Sequence, residues 1–454
     1  MTQGYRALKD LGWLGIVRLG LVQACLGSIV VMTTSVMNRV MVVELALPAI
    51  LPGALVAWHY LIQVLRPRLG HGSDIGGRRT PWIMGGMILL ALGGVGASMA
   101  TLLMRTQLYL GLALAIVAFS AIGLGVGAAG TSLLVLLAKR VAEPRRPAAA
   151  TIVWLMMFAG FVITAIVTSQ LLDPFTPARL VEVTGLVAGS AVLLTGLAVW
   201  NMEGSATAQP VTGRAQGSFG SAVREVWHEP DSRRFALFVF VSMLAYSAQE
   251  LILDPFAGSV FAFSPGQSTK LSGVQHGGAL VGMILVALAS QLLKNTGFAS
   301  MRSWTMGGCA ASAIMALLLG VAGQVGPAWP LQATVFVLGI ANGSFAVAAI
   351  GSMMQMVSRG AGSREGVRMG VWGAAQAVAF GLGGLFATAT SDIAHALLPS
   401  PASAYAVVFV TEAALFFIAA RLAAQVFQRK PARSNPTAKL ALRSQTTIVA
   451  TSGG

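Results

Sequence analysis

Charged side chains make up only 10% of this sequence, so each one within an apolar run can be weighed singly. Glu250 and Asp254 stand four residues apart in AYSAQELILDPF and share one helical face. Two carboxyls so placed can bind a proton or a cation. The competing reading is an interfacial pair wetted at the end of a span, because Asp254 precedes Pro255 and helices tend to stop there. Glu412 lies deeper, inside AVVFVTEAALFFIAA, and Arg421 is too far along one helix to pair with it. A charge at mid-bilayer costs about 2.5 to 3.5 kcal/mol on insertion scales, which makes all three acids candidates for coupling or cavity chemistry. Glu44 with Arg39 follows the first apolar run. The histidines within spans are His59, in LVAWHYLIQVL, and His276, in LSGVQHGGALVGM. A neutral imidazole there can relay a proton or ligate the metal of a ring; the plainer alternative is a hydrogen-bonded core histidine. Setting LPG at Leu51 against LSG at Leu271 puts His276 opposite Val56, about one turn from His59.

The equipment of common enzymes is missing. The sequence contains no G-x-S-x-G, H-E-x-x-H, aspartate-rich or Walker pattern, and Cys25 and Cys309 lack metal-ligand spacing and read as small core residues. A non-enzymatic protein with no bound metal is expected.

The elements that must position these residues follow from composition. The chain of 454 residues is 56% hydrophobic with a mean hydropathy of +0.76. Its apolar runs of about 20 residues are too long for barrel strands, and backbone groups in hydrocarbon must be satisfied within their own segment, so an all-α polytopic membrane protein is expected. Twelve spans are predicted, near 15–37, 46–66, 80–103, 109–136, 149–171, 180–201, 235–253, 270–292, 302–323, 329–356, 367–390 and 402–427. They divide the chain into a six-helix bundle over 1–201, a linker over 202–234, a second six-helix bundle over 235–427 and a basic, unstructured tail over 428–454. Of the 30 Lys and Arg residues, 26 fall on one side of this arrangement, which predicts that both termini are cytoplasmic. The net charge of +15 thereby becomes membrane-edge charge facing lipid headgroups, with no call for nucleic acid. Glycine clusters at 123–130 and 370–384 read as close helix packing.

Between the second and third spans lies RPRLGHGSDIGGRRTPW, in which Gly70, Asp74, Gly77, Arg78 and Arg79 follow G-x-x-x-D-x-x-G-R-R. This resembles the corresponding loop of the major facilitator superfamily, with Ile75 where a basic residue is usual and no second copy in QLLKNTGFASMRSW. The resemblance implies two six-helix halves, with Asp74, Arg78 and Arg79 latching them on the cytoplasmic side. A narrower likeness covers the segment from Asn38 to Met87, AATIVWLMM at Ala149, LDPFTPARL at Leu172 and FVFVSMLAYSAQELILDPF at Phe238. These segments resemble the PucC/LhaA group, the bacteriochlorophyll delivery family of phototrophic bacteria. That resemblance implies a factor in the bacterial inner membrane that helps assemble light-harvesting antenna complexes. It would hold bacteriochlorophyll or a precursor as cargo, with antenna polypeptides and pigment-synthesis enzymes as partners. The family supplies no pigment ligands. His59 and His276 are the residues of this chain suited to the magnesium of a chlorophyll-type ring, and Glu250, Asp254 and Glu412 would serve a proton-coupled transporter of a small amphipathic molecule, the alternative reading.

Overall fold

The computed structural model describes residues 11–65, 78–142, 145–203, 228–292, 300–359 and 365–427. Among them are twelve apolar helices, antiparallel in succession: α1 (Trp13–Val31), α2 (Ile50–Ile62), α3 (Thr80–Leu103), α4 (Leu108–Arg140), α5 (Arg146–Leu171), α6 (Pro177–Val199), α7 (Pro230–Phe261), α8 (Pro265–Leu292), α9 (Met301–Val325), α10 (Leu331–Arg359), α11 (Glu365–Leu397) and α12 (Pro401–Phe427). Eleven are long and apolar enough to cross a membrane; α2 is the short one, extended by a 3-10 turn, Gln63–Leu65. Several begin with proline in the first turn, where the missing N–H costs nothing.

Two departures from the predicted spans shape the site. The first helix does not stop near residue 37. It continues to Glu44 through two π-helical stretches, Met32–Met37 and Val40–Glu44. Arg39 therefore lies within the spanning helix, 2% exposed, instead of following it. The wider turns carry Ser35, Asn38 and Arg39 toward the other half of the molecule. The seventh helix also fails to stop at Pro255 and runs on to Phe261. Proline inside a helix leaves the carbonyl four residues earlier without its intrahelical donor. That carbonyl is Leu251's, and Asn38 Nδ2 of α1 donates to it at 2.7 Å. The break is mended from the opposite half, so Asp254 is buried and is not an interfacial residue.

One apolar core is drawn almost wholly from α1 to α6 and two others from α7 to α12. The halves meet along α2 with α11 and α5 with α8. Close crossings depend on glycine, as expected where hydrophobicity does not drive helices together. Gly125 of α4 sits on Gly86 and Leu90 of α3, and Gly383 of α11 on Ser247 and Leu244 of α7. The tightest crossing, α8 on α10, was not among the clusters legible in the sequence: Gly278 and Gly282 face Gly339 and Gly343.

Candidate functional site

A cavity of about 320 Å³ lies between the halves, lined by α1, α2, α4, α5, α7, α8 and α11. Its size is at the lower end of that of small-molecule sites. Both histidines line it, from opposite halves. His276 stands on α8 against α5, with its ring 4.8 Å from Phe161 and 6.1 Å from Phe158. Its Nδ1 is 2.8 Å from the Ser272 carbonyl. A carbonyl can only accept, so Nδ1 carries the proton and the neutral ring keeps its lone pair on Nε2. His59 stands on α2, stacked on Tyr60, which in turn meets Phe380 of α11. Its Nδ1 is 2.6 Å from the Val56 carbonyl. Each imidazole is thereby anchored to its own helix about one turn back.

Glu250 lines the same cavity, one turn along α7 from Tyr246, which lines it as well. Asp254, one turn further along α7, lies beneath the floor. Ser35 of α1 and Ser272 of α8 both line the cavity and both donate to Asp254, the latter at 2.7 Å. One carboxylate thus ties the two halves together directly below the cavity.

Below Asp254 the molecule is held by further bonds, most of them between halves, that form a seal. Arg39 donates to Glu44 at 2.6 Å, to Ser268 at 3.2 Å and to the Phe263 carbonyl. Asp392 of α11 accepts the backbone N–H groups of Ala49 and Ile50 at 2.8 and 2.7 Å, where α2 begins. Ser264 donates to Asp173 at 2.7 Å. From this seal the lining runs toward the end at which α1 begins, reaching Gln63 and Leu134.

Glu412 corrects the expectation of a third cavity carboxyl. Helix α12 packs behind α7, and Glu412 faces a narrow crevice with Ala248, Phe386, Thr390 and Val408. It is 1% exposed, and among the described residues neither oxygen has a hydrogen-bond partner; the Gln249 side chain is the polar group beside it. Gln249 belongs to a buried network that sequence reasoning missed. Its Oε1 accepts from Asn342 at 2.6 Å and Gln275 at 3.1 Å, and Ser312 donates to Asn342 at 2.7 Å. A buried, unpartnered carboxyl is destabilising. Replacing Glu412 with leucine is therefore expected to raise the stability of the detergent-solubilised protein by about 1 to 3 kcal/mol, read as a higher unfolding midpoint. A fall in that midpoint would mean that the carboxyl is engaged.

Of the loop motif, Gly70, Asp74 and Gly77 lie outside the described residues. Arg78 is exposed and Arg79 is buried at the start of α3. The backbone N–H groups of Arg79 and Thr80 donate to the Glu203 carboxylate at 2.6 and 2.7 Å, so the motif's end is capped by the residues that follow α6.

Comparison with known proteins agrees with this architecture. A bacterial homologue of the human lysosomal transporter Spinster, solved in an inward-facing and occupied conformation, superposes with a TM-score of 0.67 at 14% identity, covering 92% of this chain and 98% of that one. A bacterial homologue of the human peptide transporters PepT1 and PepT2 gives 0.67 at 15%, covering 91% and 97%. These likenesses show the major facilitator superfamily fold. In sequence, the "Bacteriochlorophyll synthase 44.5 kDa chain" of Rhodobacter capsulatus is 48% identical over 427 residues, 94% of this chain and 98% of that one. Protein PucC of Cereibacter sphaeroides is 28% identical, covering 89% and 90%. The PUCC protein family matches residues 36–431, nearly the whole membrane region, and the chain belongs to that family.

Proposed function

We propose that this protein is a non-enzymatic assembly factor for light-harvesting antenna complexes, holding bacteriochlorophyll or a late precursor in its central cavity and passing it to antenna polypeptides in the membrane. The observation that carries the reading is His276 in a PUCC family protein: an imidazole whose Nδ1 is committed to the Ser272 carbonyl, beside Phe158 and Phe161 in the cavity between the halves. A pinned Nδ1–H leaves Nε2 oriented as a ligand, the arrangement by which protein histidines hold metal centres. Magnesium in a tetrapyrrole takes such an axial nitrogen, and the aromatic wall offers flat apolar surface to the ring. A magnesium tetrapyrrole outgrows a cavity of about 320 Å³ even without its hydrocarbon tail, so the halves would have to part to admit the ring and the tail would lie outside. His59 is the second candidate ligand. The printed name of the relative at 48% identity, "Bacteriochlorophyll synthase 44.5 kDa chain", supports a reading tied to this pigment, and pigment-synthesis enzymes are candidate donors of the cargo. The distribution of Lys and Arg supports cytoplasmic termini, with Asp74, Arg78 and Arg79 as a latch on that side. Nucleic acid has no part in this reading.

The test is genetic and biochemical. Removing the protein from a phototrophic host is expected to lower the antenna complex while antenna transcripts persist, and a tagged copy is expected to bring antenna polypeptides down with it. Normal antenna levels in the deletion strain, with no antenna polypeptide on the tagged protein, would sink the proposal.

A second reading is favoured by Asp254, which accepts from both halves below a cavity lined by Glu250. Such a link suits a proton-coupled transporter of a small amphipathic molecule. That reading predicts pH-gradient-driven flux abolished by Glu250→Gln, and unchanged flux in the variant would remove Glu250 as the coupling group.

A further inference from the structure

The second half carries a space of its own, away from the cavity. Helices α11 and α12 both pack on α7 but touch each other little, and a crevice runs between them with Ala248 of α7 at its base. Phe386 and Thr411 in its walls are exposed on the outer face of the bundle, which lipid covers in a membrane. Among the described residues that line it, the polar side chains are Thr390, Thr411 and Glu412. All three are placed to accept hydrogen bonds. The Thr390 hydroxyl donates to the Phe386 carbonyl at 2.8 Å and the Thr411 hydroxyl to the Val407 carbonyl at 2.9 Å, which spends both protons and leaves lone pairs on the oxygens. A carboxylate can accept about four bonds, and a protonated carboxyl still keeps acceptor capacity. The donor beside Glu412 is the Gln249 side chain, and one amide cannot fill that capacity. The crevice is short of donors.

Glu412 stands near the middle of α12 (Pro401–Phe427), at a depth where lipid is hydrocarbon and brings no donor. A donor reaching that depth comes on another protein helix, as an amide, indole, imidazole or hydroxyl, and bonds of this kind join helices within membranes. We propose that the α11–α12 crevice is a docking site for the transmembrane helix of an antenna polypeptide, which sets a donor side chain against Glu412. The proposal rests on the assembly-factor reading above and gives it a surface, on the outer face of the second half. The slight contact between α11 and α12 lets the crevice widen for one side chain while each helix keeps its packing on α7. Docking also accounts for an acid at a position where leucine is expected to be the more stable residue.

The experiment isolates the tagged, full-length protein in mild detergent from the phototrophic host and measures antenna polypeptide retained per chain. The parent is compared with Glu412→Leu, Thr411→Phe and Val410→Phe. Glu412→Leu removes the acceptor in a variant expected to be at least as stable as the parent, so a lost partner is not a sign of misfolding. Thr411→Phe fills the crevice from the lipid side and leaves the carboxyl and Gln249 in place. Val410 is 53% exposed and does not line the crevice, so Val410→Phe adds similar bulk beside it. Retention is expected to fall roughly threefold or more in the first two variants, the scale of one bond between membrane helices, and to stay within about twofold of the parent in Val410→Phe. Parent-level retention in Glu412→Leu overturns the proposal. An equal loss in Val410→Phe also overturns it, since bulk anywhere on that face would then suffice. Loss in Glu412→Leu without loss in Thr411→Phe does so too, because the acid would then act inward through Gln249. If the parent itself retains no antenna polypeptide, the assembly-factor reading falls and takes this one with it, an outcome distinct from failure of the docking site alone.

Discussion

The His276→Ala variant is expected to remain folded and to hold pigment about tenfold or more weakly than the parent, a loss of the size seen when even an outer-shell partner of a metal ligand is removed. The expectation follows from the position of the ring. His276 is buried on α8, but it borders the cavity, so truncation enlarges a space that already exists. The cost to stability should be about 1 kcal/mol, typical of a point change away from the close-packed core. His276→Leu supplies the control, since it keeps the contact with Phe161 and Phe158 while removing the nitrogen. Pigment lost in both variants, with unfolding midpoints near that of the parent, marks the imidazole as a ligand. Pigment retained in His276→Leu would reduce His276 to a packing residue and leave His59 as the remaining candidate.

Gly343→Ala is expected to have the largest effect on stability. A methyl group at Gly343 would overlap the Ala279 carbonyl oxygen, and one at Gly339 would overlap that of Gln275. On the facing helix, additions at Gly278 and Gly282 would strike the Phe336 and Ile340 carbonyls. All four obstacles are backbone, which cannot rotate aside, so the helices must separate. Overpacking of a close-packed core costs about 1 to 3 kcal/mol, and backbone contact puts this case at the upper end. Separating α8 from α10 would also strain the bonds from Gln275 and Asn342 to Gln249. Gly185→Ala on α6 is the matched control, since a methyl group there meets nothing. Thermal unfolding in detergent should show a clear drop for Gly343→Ala and none for Gly185→Ala. Equal midpoints would mean that the crossing is looser than described.

The helices were legible because hydrocarbon admits few alternatives: an apolar run of about 20 residues must become a helix. Helix limits were less legible where tertiary bonds override local preference. Pro255 signals an end, but Asn38 of the opposite half supplies the hydrogen bond that the proline removes. Nothing local to either segment announces that pairing. Arg39 reads as a residue beyond a span, yet a π-helical extension buries it against the second half. Within the site, helical spacing put Glu250 and Asp254 on one face, and the alignment of the halves set His276 about one turn from the equivalent of His59, but only assembly brings both imidazoles to one cavity. Glu412 has the same sequence signature as Glu250, an acid in an apolar run, and faces a different space because α12 packs behind α7. The run MTTSVMNRV, dense in small polar residues within the first span, was the available clue to the floor formed at Ser35.

Whether the cavity holds pigment is decided by the absorbance spectrum of the protein purified in mild detergent from a pigment-synthesising phototroph, normalised to protein. Tetrapyrrole absorption near one pigment per chain, largely lost in His276→Leu, is the expected result. A colourless preparation, or colour unchanged by that substitution and by His59→Ala, would contradict it.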